Sequence, residues 1–195
     1  MKRRTSYVFF SITMVIVPVL ALTTAATMTR ASNDTGRSQI MELTSNAFDA
    51  GGMIPGKHTC DGEDVSPALS WSGTPPGTAS FVIMMDDPDA PPGTWIHWVL
   101  YDLPADLGGL KPALPKTETL ENGAAHGACW GVNSFSRVGY YGPCPPPGAP
   151  HRYYFRLYAL DTRLELPPGQ TKQQLLRAME GHVLTEAELM GKYGR

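Results

Sequence analysis

Two apolar runs of strand length, separated by a short acidic loop, constrain the fold of this chain more than any other feature. Residues 79–85 and 95–101 are apolar almost throughout, which is typical of strands that are buried on both faces. The 195-residue chain also contains 20 glycines and 18 prolines, a composition that favours strands joined by tight turns over a helix bundle. We therefore predict a mainly β domain with these two runs at its centre.

A third strand is predicted at residues 152–161 (RYYFRLYALD). Its side chains alternate, so that Arg152 and Arg156 share one face while Phe155 shares the other face with the remaining apolar residues. The preceding region, residues 102–150, is irregular and contains glycine and proline throughout. Long irregular regions of this kind are often functional in compact domains. We interpret Trp130, which lies in this region, as a packing residue.

Helix signals occur only near the end of the chain. Thr171 and Gln174 have the spacing of a capping box, and Gly181 ends the apolar pattern that follows. Thr185 and Glu188 repeat the same spacing. The sequence therefore predicts two short C-terminal helices.

The first 26 residues have the organisation of a secretory signal peptide. Basic residues 2–4 precede the apolar segment 7–22, and small residues at 24–26 provide a cleavage site. An uncleaved membrane anchor is the alternative, although the apolar segment is shorter than the ~20 residues that span a bilayer. Residues 27–40 are polar and are predicted to be a disordered linker. We expect a periplasmic or extracellular protein.

The folded domain is predicted to comprise residues 41–195, and it is acidic. Residues 1–40 hold five of the 16 basic residues and one of the 18 acidic residues, so the remainder carries a formal charge of −6. Nucleic-acid binding depends on neutralising phosphates with a basic surface. The charge distribution therefore argues against a nucleic-acid partner.

Three aspartates occupy the loop between the two apolar runs. Asp86, Asp87 and Asp89 lie within four positions, and carboxylates this close repel each other unless positive or hydrogen-bonding groups lie among them. Prolines in the same loop restrict its backbone. An acidic surface turn is the ordinary interpretation, but the two buried strands on either side favour a binding site.

Two histidines lie in or beside the predicted strands. His97 falls within the second apolar run, where a lone histidine is usually a hydrogen-bonded core residue. His151 precedes the third strand and shares a strand face with Tyr153, so that an imidazole and a phenol can reach the same point. The rigid loop 139–148 comes just before them and could direct backbone N–H groups at an anion.

Taken in order, these segments resemble the signature of the phosphatidylethanolamine-binding, or Raf kinase inhibitor-like, family and its bacterial YbhB/YbcL-type branch. The matching motifs are Asp-Pro-Asp-Ala-Pro at 87–91, Trp-x-His at 95–97, Gly-Pro-x-Pro-Pro at 142–146 and His-Arg-Tyr at 151–153. The resemblance spans about residues 41–195. It implies a large antiparallel sheet packed on a smaller one, with short helices near the C-terminus.

The resemblance also implies a small pocket for phosphate-like anions or phospholipid head groups. The pocket positions of the family correspond to Asp87, Asp89, Pro91, Trp95, His97, Cys144, His151 and Tyr153. Cys144 stands where eukaryotic members have a glycine whose amide meets the anion. No metal or other cofactor is implied, and the expected function is non-enzymatic binding, including inhibition or scaffolding of other proteins.

Two alternative functions would use the same residues. A hydrolase would use Asp87, His97 and His151 as acid–base groups, with a nucleophile at Cys144 or Ser134. The sequence lacks the Gly-x-Ser-x-Gly motif of a nucleophile elbow. A zinc site would combine the same carboxylate and imidazoles with the second carboxylate of the acidic loop.

The chain contains three cysteines, at positions 60, 129 and 144. In an oxidising compartment they would form one disulfide and leave one thiol, although three buried thiols are the alternative and three pairings exist. The family places the loops of Cys60 and Cys144 near the pocket. The resemblance therefore favours a Cys60–Cys144 disulfide, with Cys129 free.

Overall fold

The computed structural model describes residues 40–132 and 137–195. The predicted signal peptide, and the predicted linker up to residue 39, lie outside the described residues. The described domain is mainly β, as the sequence predicts. Its strands are β1 (Glu42–Thr44), β2 (Leu69–Ser72), β3 (Ser80–Asp87), β4 (Trp95–Pro104), β5 (Gly109–Leu110), β6 (Ala125–His126), β7 (Ala128–Cys129), β8 (Arg137–Val138), β9 (His151–Leu160) and β10 (Val183–Tyr193). The α-helix, α1, is Lys172–Ala178, and a single 3-10 turn occurs at Gly56–His58.

The strands form a large antiparallel sheet and a smaller one, in agreement with the prediction. The large sheet has the order β10-β9-β3-β4-β6, and the smaller sheet has the order β1-β2-β5. Strands β7 and β8 form a separate two-stranded ribbon. In the described part of the chain, no helix has the length and apolar character needed to cross a membrane.

The central strand β3 is buried along its whole length because both faces of the large sheet are covered. Its odd-numbered apolar side chains face the smaller sheet, where Trp71 meets Phe81 edge-on with ring centroids 5.2 Å apart. Its even-numbered apolar side chains share a second core with Leu175 and Met179 from the region of α1. Each fully buried large apolar side chain contributes roughly 1.5–3 kcal/mol, so these two cores hold the strand ends in place.

A β-bulge in β4 determines where His97 points. The partner of Met85 is Trp98, but the partner of Asp86 is Ile96, so His97 is an extra residue between the two pairs. As a result Ile96 and Trp98 lie in different cores although they are two positions apart. Bulges of this kind re-aim side chains, frequently beside functional sites. Here the bulge lies next to the end of β3.

Helix α1 begins where the sequence predicts it. The Thr171 hydroxyl accepts a hydrogen bond from the Gln174 amide at 3.2 Å, and the Gln174 side chain accepts one from the Thr171 amide at 2.8 Å. The first helical residue, Lys172, donates to the buried carboxylate of Asp86. Arg156 of β9 donates to the same Asp86 oxygen at 2.9 Å. An ion network therefore ties the helix to the large sheet.

The prediction of a second C-terminal helix is wrong. Thr185 and Glu188 lie in β10, which pairs with β9 in antiparallel register over most of its length. Residues of β10 alternate so that Ala187 and Leu189 are buried in the core shared with the smaller sheet. A capping box is a local signal, and the tertiary pairing with β9 outweighs it at this position.

Candidate functional site

A recess of about 180 Å³ lies where the end of β3 meets the beginnings of β4 and β9. Its ionisable side chains are Asp87, His97 and His151, which come from three neighbouring strands of the large sheet. The remaining lining residues are mostly apolar: Ala90, Pro91, Pro92, Trp95, Trp130, Cys144, Pro145 and Pro146. The structure thus brings together six of the eight residues that the resemblance assigns to the pocket.

A larger groove of about 560 Å³ lies between β1 and β10. Its titratable side chains are the carboxylates of Glu42, Asp49 and Glu188, and it contains no imidazole. Ligand sites typically combine apolar walls with a few converging polar groups. The smaller recess meets this description better than the groove, so we treat the recess as the candidate site.

Asp87 orients His151 and has little capacity left for a ligand. One carboxylate oxygen accepts a hydrogen bond from the Asp89 amide at 2.8 Å, and the other accepts one from His151 Nδ1 at 2.8 Å. The Asp87 residue is 3% exposed. A carboxylate that holds Nδ1 in this way fixes the ring and leaves Nε2 as the free ring nitrogen.

His97 is held by a different acceptor. Its Nδ1 donates to the Tyr141 carbonyl at 2.7 Å, and the Tyr141 amide donates back to the His97 carbonyl at 3.1 Å. Burial lowers the pKa of His97, although the Tyr141 carbonyl and the charge of Asp87 oppose this shift. A neutral His97 whose Nδ1 carries the proton has a lone pair on Nε2 and can only accept there.

Asp89 was expected in the pocket but does not line the recess. The Arg152 guanidinium donates to its two carboxylate oxygens at 2.6 and 2.9 Å, and the Arg152 amide donates at 2.9 Å. The hydrogen bond from the Arg152 side chain is the main reason that the pKa of Asp89 falls to about 2. This partly exposed ion pair fixes the acidic loop to β9. Both oxygens of the Asp89 carboxylate are therefore engaged by Arg152 rather than directed at a ligand.

Tyr153 was also expected in the pocket and instead lies behind it. Its ring is fully buried in the core and stands edge-on to His97 with centroids 5.2 Å apart. Its hydroxyl has no hydrogen-bond partner among the described residues. Burial and then the nearby charge of Asp87 raise the pKa of Tyr153, so the phenol stays protonated. Tyr153 supports the His97 ring from the core side.

The wall opposite the histidines is anchored by a disulfide, and the predicted pairing is confirmed. Cys60 and Cys144 are bonded with Cα atoms 5.4 Å apart, and the buried Cys129 is free. The Cys60 amide donates to the Pro143 carbonyl at 3.0 Å. At Gly142 an added Cβ would lie 2.0 Å from the carbonyl oxygen of His58, so the wall packs directly on the 3-10 turn.

The alternative chemistries have little support at this site. The Cys144 sulfur is part of the disulfide, so the thiol nucleophile considered from the sequence does not exist in the oxidised protein. Ser134, the other candidate nucleophile, lies outside the described residues. The second loop carboxylate needed for zinc is bound to Arg152. Across residues 40–132 and 137–195, no group of three or more potential metal-ligating side chains is present.

Trp130 lines the recess, although the sequence suggested only a packing role. Its backbone has φ +73°, a left-handed conformation that is uncommon for a large side chain. Its amide donates to the Ile96 carbonyl at 2.7 Å, and the Ile96 amide donates to the Gly131 carbonyl at 3.0 Å. Because this pairing joins distant parts of the chain, no local sequence pattern could have revealed it.

Comparison with known proteins agrees with the fold. Residues 44–194 match the family model described as phosphatidylethanolamine-binding protein. A UPF0098 protein of Methanothermobacter thermautotrophicus is 50% identical over 155 residues, covering 80% of this chain and 99% of the relative. The crystal structure of CT736 from Chlamydia trachomatis, a phosphatidylethanolamine-binding protein homologue, superposes with a TM-score of 0.72 at 42% identity, covering 81% of this chain and 99% of the other. Escherichia coli YbcL gives a TM-score of 0.71 at 30% identity, covering 80% and 98%. The chain therefore belongs to the phosphatidylethanolamine-binding protein family.

Proposed function

We propose that this protein is a non-enzymatic binding protein whose recess accepts a small phosphate-bearing group, either free or in a phospholipid head group. Family membership supports a binding protein in general terms. The observation that carries the finer proposal is the state of the two imidazoles. Both His97 and His151 have Nδ1 bound to a protein acceptor, which leaves both Nε2 atoms for a ligand.

The two Nε2 atoms are complementary rather than equivalent. Neutral His97 offers a lone pair, which accepts from a P–OH group. In its doubly protonated form, His151 donates from Nε2 to a phosphate oxygen, while Asp87 accepts from Nδ1. One acceptor and one charged donor match inorganic phosphate or a phosphomonoester that carries a single proton, whereas the phosphodiester of a phospholipid has no P–OH group to donate to His97. This arrangement favours the monoanion over the dianion.

Charge and size support the same ligand. Among the described residues, no lysine or arginine lines the recess, so its charge balance depends on Asp87 and the imidazoles. The volume of about 180 Å³ is smaller than that of sites for drug-sized molecules, which begin at about 300 Å³. A phosphate head group fits within these limits, whereas the acyl chains of a phospholipid would remain outside the recess.

Replacement of His151 by alanine is expected to weaken binding of inorganic phosphate by about 10- to 100-fold, because a charged hydrogen bond contributes about 1.5–3 kcal/mol. His97→Ala should have a smaller effect, since a neutral hydrogen bond contributes about 1 kcal/mol. Binding is measured by calorimetry between about pH 5.5 and 8, the range over which histidines titrate. Affinity should fall as pH rises, because the P–OH proton that neutral His97 accepts is lost from the ligand.

His182→Ala provides a matched control. His182 Nδ1 also lies 2.8 Å from a carboxylate, that of Asp161, but its side chain is 47% exposed and it does not line the recess. This variant should bind phosphate like the parent protein. Unchanged affinity in both recess variants would contradict the proposed site. Multiple-turnover hydrolysis of phosphoesters or esters, abolished by His151→Ala, would contradict the non-enzymatic function.

We also propose that the protein is exported to the periplasm or beyond. Support comes from the signal-like first 26 residues and from the Cys60–Cys144 disulfide, since disulfides persist mainly in oxidising compartments. Protein isolated from its native host should lack residues 1–26 when its intact mass is measured. A mass that includes Met1, found in the cytoplasmic or membrane fraction, would argue against cleavage and export.

A further inference from the structure

The Trp130 ring stands at the junction between the ionisable end of the recess and its apolar walls. It meets His97 edge-on with centroids 5.6 Å apart and an interplanar angle of 90°. It also meets Trp95 edge-on, at 5.9 Å and 88°. Both of these neighbours line the recess. An indole in this position contacts whatever is attached to a group held by the histidines.

The other side of the indole is already occupied. The Arg137 guanidinium lies 5.0 Å from the Trp130 ring centroid and 4.8 Å from that of Tyr141. Cation–π contacts of this type hold the guanidinium against one ring face. Because Arg137 does not line the recess, the surface that Trp130 presents to the recess is the opposite face or an edge of its ring.

The backbone at Trp130 shows that this placement is maintained at a cost. A left-handed conformation of a bulky residue is strained and persists where the surrounding structure enforces it, often at ligand sites. Here the enforcing contacts are the two backbone hydrogen bonds with Ile96, which directly precedes the bulged His97. The strand residue beside the bulged histidine therefore also sets the position of the indole.

We propose that Trp130 is a specificity-determining residue and that the recess selects phosphomonoesters carrying a flat, aromatic group over inorganic phosphate. This inference rests on the proposed phosphate site. Proline rings at positions 91, 92, 145 and 146 line the recess together with the indoles of Trp95 and Trp130. Rigid apolar walls of this kind suit a flat ring better than a flexible alkyl group, because aromatic contacts add to simple burial.

The test compares inorganic phosphate, methyl phosphate and phenyl phosphate by calorimetry with the whole protein. The parent protein should bind phenyl phosphate about fivefold more tightly than methyl phosphate. Trp130→Gly removes the ring at a backbone conformation that glycine adopts without strain, and it should abolish this preference. Trp130→Phe keeps a flat ring and should retain most of the preference.

The possible results separate the inference from the function on which it rests. Equal binding of phenyl and methyl phosphate by the parent protein would overturn the inference while leaving the phosphate site intact. Equal weakening of all three ligands by Trp130→Gly would assign the indole a structural role and overturn it as well. Absence of binding for all three ligands in the parent protein would overturn the proposed function and the inference together.

Discussion

Reduction of the Cys60–Cys144 disulfide is expected to lower the free energy of unfolding by about 4 kcal/mol. The two cysteines are 84 positions apart, and a cross-link that closes a loop of this length restricts the unfolded chain and so destabilises it relative to the folded protein. The loop includes β2, β3 and β4, so the constraint acts on the central sheet as well as on the recess. The measurement is urea unfolding with and without a dithiol reductant.

The double variant Cys60→Ser/Cys144→Ser is the matched control for this experiment. It should unfold at the urea concentration found for the reduced parent protein, and added reductant should not change that concentration. The buried thiol of Cys129 is present in both proteins, and burial raises its pKa to about 12, so it stays unreactive. A parent protein with the same stability in both redox states would contradict the expected role of the disulfide.

Asp86→Ala is expected to destabilise the fold by about 3 kcal/mol, because it removes the shared acceptor of two cations from a buried position. The Asp86 residue is 1% exposed, and one of its oxygens accepts from both Arg156 and Lys172. The side chains of Arg156 and Lys172 are 31% and 20% exposed, so water can partly rehydrate their charged groups once Asp86 is removed. The expected loss is therefore at the lower end of the range for broken buried ion pairs. Thermal or urea unfolding measures it.

Glu188→Ala tests the same network from its exposed side. Glu188 Oε2 forms an ion pair with Arg156 Nε at 3.0 Å, but the Glu188 side chain is 45% exposed, and surface ion pairs contribute about 0–1 kcal/mol. This variant should therefore stay within about 1 kcal/mol of the parent protein. If Asp86→Ala is equally mild, the attachment of α1 to the large sheet does not depend on the ion network.

Much of the fold follows from periodicity in the sequence. The alternation of β9 and the apolar run of β3 identify their buried faces without any structural information, and the Thr171 capping box marks the start of α1. The similar spacing at Thr185 and Glu188 misleads because both residues belong to β10, whose pairing with β9 depends on residues about 30 positions away. Local signals predict well where tertiary contacts agree with them and fail where they do not.

The site was less predictable than the fold, for reasons of geometry. Family resemblance identifies Asp87, His97 and His151 as pocket residues, and all three line the recess. It cannot show that Asp89 is bound to Arg152, since that ion pair joins a loop to a strand 63 positions away. Nor can it place Trp130, whose left-handed backbone is set by pairing with β4. Side-chain direction at bulges and loops depends on these distant contacts.

The end of β3 supplies adjacent carboxylates to two unrelated environments. Asp86 points to the side of α1 and joins its ion network, whereas Asp87 points to the recess and aligns His151. Because neighbouring residues of a strand project to opposite faces, one peptide bond separates the ion network of α1 from the carboxylate that orients His151 in the recess. Substitutions at Asp87 in natural or laboratory evolution can therefore change the recess while Asp86 keeps its ion pairs with Lys172 and Arg156.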